Sequence, residues 1–151
     1  MIQPPELVSA YRATCYQVLF PGEVLSLRIG LASVALVRYL QLAGVVEFAI
    51  ITAENPASRL CTEFENQLAG AQLQSALVAA GFSPVATRHL ADDDRWPVEN
   101  GFYVNGLARS AARALAAKYG QNAFLWGGAD GVPHLVWTDD EEKDEASDWT
   151  L

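Results

Sequence analysis

Three polar segments interrupt apolar sequence, and they hold the residues best suited to chemistry. The first is Thr52-Ala53-Glu54-Asn55-Pro56-Ala57-Ser58. It lies between an apolar run and a helical pattern, and a strand-to-helix junction exposes backbone N–H groups that gather polar and anionic ligands. Turn formation by Asn55 and N-capping by Ser58 would account for the same residues without a ligand. In the second segment, Tyr119 to Gly127, Gln121 and Asn122 stand between a helix stop and an apolar strand. Adjacent amides there can clamp a base or an amide group, or merely connect two elements. The third segment runs from Asp92 to Glu99. Trp96, an aromatic in a polar loop, can cover a pocket, and Glu99 is the carboxylate best placed for general acid or base catalysis. Consecutive carboxylates rarely converge on one ion, so Asp92, Asp93 and Asp94 read as a solvated loop.

Arg28 offers a bidentate contact to an anion. An ordinary ion pair between Arg28 and Glu99 would remove both from the candidate set. Arg109 and Arg113 are four apart on one helix face; solvation of an exposed face is expected there, with a phosphate or the acidic C-terminal run as the other partner. No metal and no cofactor is expected. His89 and His134 are the only histidines and stand apart, and Cys15 and Cys61 lack paired spacing. No nucleophile-elbow pattern surrounds a serine, and Gly127-Gly128-Ala129-Asp130-Gly131 has turn chemistry rather than a phosphate-cradling pattern.

The elements that must position these residues follow from periodicity. Pro4-Pro5-Glu6 opens a short helix. Thr14 to Phe20 and Val24 to Ile29 alternate about a Pro21-Gly22 turn, which predicts a β-hairpin. Helical spacing covers Ala32 to Leu42. Val45 to Thr52 is nearly continuous apolar sequence, as in a strand buried on both faces. A long helix is predicted over Ser58 to Ala80, with Leu60, Phe64, Leu68, Leu73, Leu77 and Val78 as its apolar stripe and Gly81 as its stop. Strands over Val85 to Leu90 and Gly101 to Val104, a helix over Leu107 to Tyr119, and a hairpin of Ala123 to Trp126 with Val132 to Trp137 complete the series. Hairpins at both ends with helices between them predict one compact α+β domain, residues 1–137, with a mixed or antiparallel sheet and helices packed on it.

Composition bounds the rest. With 151 residues, 51% of them hydrophobic, the chain can bury one core without disulfides or metals. Of the net charge of −8, the last fourteen residues, Thr138 to Leu151, supply −6 through seven acids and one base. Such a run stays solvated because its charges repel, so residues 138–151 are expected to be a disordered acidic tail. A basic patch is lacking, so nucleic acid is not an expected partner. The most apolar stretch, Leu31 to Ile51, is broken by Arg38, Gln41 and Glu47, and charges at the centre of a bilayer span are costly; no membrane partner is expected. Met1 to Cys15 has no basic region followed by an apolar run, so no signal peptide is read and a cytoplasmic setting is expected.

Taken together, the segments resemble a bacterial family of small proteins catalogued as domain of unknown function 3293. The resemblance rests on Ala10 to Tyr16, Leu27 to Gly30, Ile51 to Ser58, Glu65-Asn66, Trp96 to Glu99 and Tyr119 to Gly127, in the family's order. The Thr-Ala-x-Asn-Pro and Gly-Gln-Asn-Ala pieces are its most specific parts. One departure is Gly101, where the family pattern carries a serine two residues after the glutamate. The resemblance implies a free-standing cytoplasmic bacterial domain and brings no activity. Combined with the chemistry above, it points to a pocket for a small molecule, including a nucleotide-like one. Arg28, Thr52, Asn55, Ser58, Asn66, Trp96, Gln121 and Asn122 would bind, and Glu99 would be the acid or base. The competing reading is an acidic interaction module, such as an immunity protein or antitoxin, that neutralises a basic protein through its tail. Sequence leaves the oligomeric state open.

Overall fold

A computed structural model describes residues 5–93 and 96–139. Helix α1 (Pro5–Arg12) leads into strands β1 (Thr14–Phe20) and β2 (Glu23–Leu27), then helix α2 (Val34–Ala43) and strand β3 (Glu47–Ile51). A short turn at Pro56–Ser58 precedes helix α3 (Glu63–Ala79), followed by strands β4 (Val85–Ala91) and β5 (Glu99–Asn105). Helix α4 (Arg109–Lys118) and strands β6 (Ala123–Gly128) and β7 (His134–Trp137) end the described chain. The predicted α+β order is the observed one. All seven strands form one sheet in the order β2-β1-β4-β5-β3-β6-β7, and every neighbouring pair is antiparallel.

The interior strand β3 is buried on both faces, as its unbroken apolar sequence requires. One face carries Tyr16, Val18, Phe48, Ile50 and Tyr103 against Leu36 and Leu40 of α2. The other carries Ala49, Ile51, Val104 and Phe124 against Leu73 and Leu77 of α3 and Ala112 and Ala116 of α4.

Three expectations about helices need correction. Helix α3 begins at Glu63 rather than Ser58, because Thr62 supplies the cap. The Thr62 hydroxyl accepts from Glu65 N at 3.1 Å, and the Glu65 carboxylate accepts from Thr62 N at 2.8 Å, a reciprocal capping box. Of the predicted stripe, Leu73 and Leu77 are buried, whereas Leu60, Phe64, Leu68 and Val78 are exposed, since α3 rests on the sheet only through its second half. The Arg109 and Arg113 face of α4 is buried, not solvated. Arg113 donates from Nη1 to the carbonyls of Trp137 and Thr138, and the Arg109 guanidinium lies 5.3 Å from the centroid of the Trp126 ring. Thr138 N donates to Asn122 O at 3.0 Å, which ties Thr138 to the domain. The rest of the expected acidic tail, from residue 140 on, lies outside the described residues. Among the described residues no helix is long and apolar enough to cross a membrane.

Candidate functional site

Antiparallel register places residues of distant sequence side by side on one face of the sheet. Tyr16 is paired with His89, and His89 with Glu99, so three polar-tipped side chains form a row across β1, β4 and β5. One step along the same face, Thr87 is paired with Gly101. The His89 imidazole fills the space above Gly101: a Cβ there would stand 3.0 Å from His89 Cε1 and 2.6 Å from the Ile51 carbonyl oxygen. The space above Gly101 is therefore closed to a side chain. His89 is buried, bonded at 2.8 Å to the Thr87 hydroxyl through Nε2 and edge-on to the Tyr16 ring at 4.8 Å. Burial pushes its pKa down to about 4, so the ring is neutral at neutral pH.

The end of this row meets the loop after β3. Asn55, Ala57 and Ser58 have φ of 48°, 56° and 58°, a left-handed run that non-glycine residues adopt only when their surroundings enforce it. Asn55 is the tie. Its backbone N donates to Asn66 Oδ1 at 2.9 Å, and its Oδ1 accepts from Cys61 N at 2.9 Å and Asn66 Nδ2 at 3.0 Å. Its Nδ2 donates to Glu99 Oε2 at 2.8 Å. A second donor, the Trp96 indole N–H, reaches the same oxygen at 2.9 Å. Burial nevertheless holds the Glu99 carboxyl above the usual carboxylate range; the bonds from Asn55 and Trp96 oppose that shift, and the charge of Glu54 adds to it. Glu54 itself is buried and accepts from the backbone N and Nδ2 of Asn100 at 3.1 and 3.3 Å.

The C-terminal segment closes the arrangement. Gln121 Nε2 donates to the carbonyls of Glu54 at 3.0 Å and Tyr119 at 3.4 Å, and Asn122 Nδ2 donates to Ser58 Oγ at 2.9 Å. Thr52 donates from its hydroxyl to Asn100 O at 2.6 Å and accepts from Glu54 N at 3.1 Å. Around these side chains lies a cavity of about 640 Å³, with α1 forming one wall through Leu7, Ala10 and Tyr11. Thr52, Asn55, Ser58, Trp96, Glu99, Gln121 and Asn122 all line it.

Two predicted residues do not. Arg28 forms a bidentate pair with Asp92 at 3.0 and 2.7 Å on the surface, not with Glu99. Asn66 sits behind Asn55 and supports it. Conversely, Tyr11, Tyr16 and His89 line the cavity without having been singled out. Tyr11 and Tyr16 fall within the family-like segment near the start of the chain, which was the one signal available. Burial, then the charge of Glu99, pushes the Tyr11 hydroxyl up to about 12, and burial raises Tyr16 as well. Among the described residues no group of three or more His, Cys, Asp or Glu side chains could hold a metal ion.

The family described as protein of unknown function DUF3293 matches residues 51–124. The chain belongs to this family. The DUF3293 match spans Thr52, Asn55, Ser58, Asn66, Trp96, Glu99, Gln121 and Asn122, and leaves the α1 wall and Arg28 outside it. No match is found among curated proteins or among solved structures.

Proposed function

We propose that this DUF3293 protein is a small-molecule-binding domain whose site is the cavity between α1 and the Tyr16–His89–Glu99 row. One observation carries the reading: seven polar or aromatic residues from three separated segments converge on a single cavity of about 640 Å³. That volume is typical of ligand pockets. The left-handed loop from Asn55 to Ser58 supports it, because strain held in place by a buried hydrogen-bond hub is characteristic of binding and catalytic sites. A cytoplasmic setting is part of the proposal: Cys15 and Cys61 are free thiols, which suits a reducing compartment.

The test is a thermal-shift screen of fragments against the natural protein and Ala10→Trp. Ala10 lines the cavity from the exposed side of α1, so an indole there plugs the cavity without entering the core. A ligand at about 100 times its Kd adds roughly 2.7 kcal/mol to stability. Hits that raise the Tm of the natural protein but not of Ala10→Trp are expected. Hits that shift both proteins equally, or a screen without hits, would overturn the reading.

A further inference from the structure

We propose that the cavity takes an organic cation, an amine or amidine on an apolar or aromatic body, with the free Glu99 oxygen as its anchor. This inference rests on the binding-pocket reading above and specifies the class of ligand.

Charge is the first argument. Glu6, Asp92, Asp93 and Glu99 line the cavity, and no lysine or arginine does so among the described residues. Arg28 neutralises Asp92 from outside the lining, and His89 is buried in its neutral form. A phosphate or carboxylate entering here would meet Glu6 and Glu99, with no lysine or arginine among the described lining residues to offset their repulsion. The nucleotide-like ligand admitted by the sequence is disfavoured for this reason.

The hydrogen-bonding inventory points the same way. Every polar atom of Thr52 and Asn55 that turns toward the site is engaged within the protein, Asn55 Oδ1 twice. Glu99 accepts both its bonds on Oε2, so Oε1 has no partner among the described residues. Gln121 is oriented by its neighbours: both partners of Nε2 are carbonyl oxygens, so that end must be the donor. Its Oε1 is left unengaged, and neither that oxygen nor Glu99 Oε1 is a buried atom cut off from solvent. Beside the Tyr11 and Ser58 hydroxyls, which can donate or accept, the site therefore offers a ligand two pure acceptors, a carboxylate oxygen and an amide oxygen. A ligand that satisfies them must bring N–H donors, and a charged donor makes the stronger bond to Glu99.

Aromatic walls complete the argument. Tyr11, Tyr16 and Trp96 line the same cavity as Glu99. Ring faces attract cations, and they cover the apolar body that an ammonium or amidinium group carries.

Benzamidine, benzamide and benzoate have nearly the same shape and differ in charge, which makes them the probes. Binding is read by amide and indole N–H chemical shifts in the full-length protein. Benzamidine is expected to shift the Trp96 indole resonance and to bind at least about tenfold more tightly than benzamide, the ratio a charge-assisted hydrogen bond provides. Benzoate is expected not to bind. Glu99→Gln should erase the preference for benzamidine over benzamide. Glu6→Gln, on the exposed first turn of α1, should weaken benzamidine by a few-fold and keeps the test available where Glu99→Gln does not fold. Equal or tighter binding of benzamide or benzoate in the cavity would overturn the cation class and leave the pocket standing. No cavity shifts from benzamidine would overturn the inference, and the fragment screen with Ala10→Trp then decides separately whether the pocket reading falls with it.

Discussion

Acidification should unfold this protein earlier than its carboxylates alone would cause, and His89 is the reason. Its imidazole is enclosed by Thr87, the Tyr16 ring and the bare backbone of Gly101, and burial lowers its pKa from 6.5 to about 4. The unfolded chain therefore takes up the proton more readily than the folded one. Stability is complete above pH 6.5 and is lost progressively as pH falls from there toward 4. Linkage gives a loss of about 2 kcal/mol by pH 5 and about 3 kcal/mol by pH 4 from this one ring. The perturbation is His89→Gln, which removes the titration and retains a polar tip for the Thr87 hydroxyl. Urea unfolding followed by tryptophan fluorescence at pH 7.5 and pH 5.0 measures the effect for both proteins. Between those two conditions the natural protein should lose about 2 kcal/mol more than the variant, a difference in midpoint of roughly 1 M urea. His134 is also held below its ordinary value by burial, but it is present in both proteins and cancels, as do the carboxylates. Parallel losses in the two proteins would refute the argument that His89 is buried in its neutral form.

Gly101→Ser should destabilise this chain by roughly 2 kcal/mol, because the new Cβ meets the Ile51 carbonyl oxygen at 2.6 Å and the His89 ring at 3.0 Å; thermal unfolding measures the loss. Pairing the change with a smaller residue at position 89 should recover part of it. Arg28→Ala should cost no more than about 1 kcal/mol, since its pair with Asp92 is at the surface. The same variant should leave the affinity for an uncharged cavity ligand such as benzamide within about twofold, measured by titration, because Arg28 is not among the lining residues.

Much of the fold was legible because its causes are local. Alternation in Thr14 to Phe20, the unbroken apolar run of β3 and the Ala-rich stretch ending at Gly120 each announce an element by periodicity or by a stop residue. The start of α3 is legible too, in the Thr62-Glu63-Phe64-Glu65 capping pattern, which competes in the sequence with Ser58 as the cap. The orientation of helix faces was not. Leu60, Phe64 and Leu68 have core-like spacing yet stay exposed, while Arg109 and Arg113 go inside. Burial depends on which side of a helix the sheet reaches and on whether backbone carbonyls, here those of Trp137 and Thr138, wait for a guanidinium.

For the site, sequence by itself identified the polar residues that apolar surroundings make conspicuous: Thr52, Asn55, Ser58, Trp96, Glu99, Gln121 and Asn122. Residue type and junction position were enough to select them. Tertiary structure alone decided their partners. Strand register set Tyr16 beside His89 and His89 beside Glu99; Arg28, just past β2, meets Asp92, just past β4, and the docking of α3 puts Asn66 behind Asn55. Pairing across a sheet is fixed by which strands become neighbours. That choice is made by the packing of the whole core, which no single segment encodes.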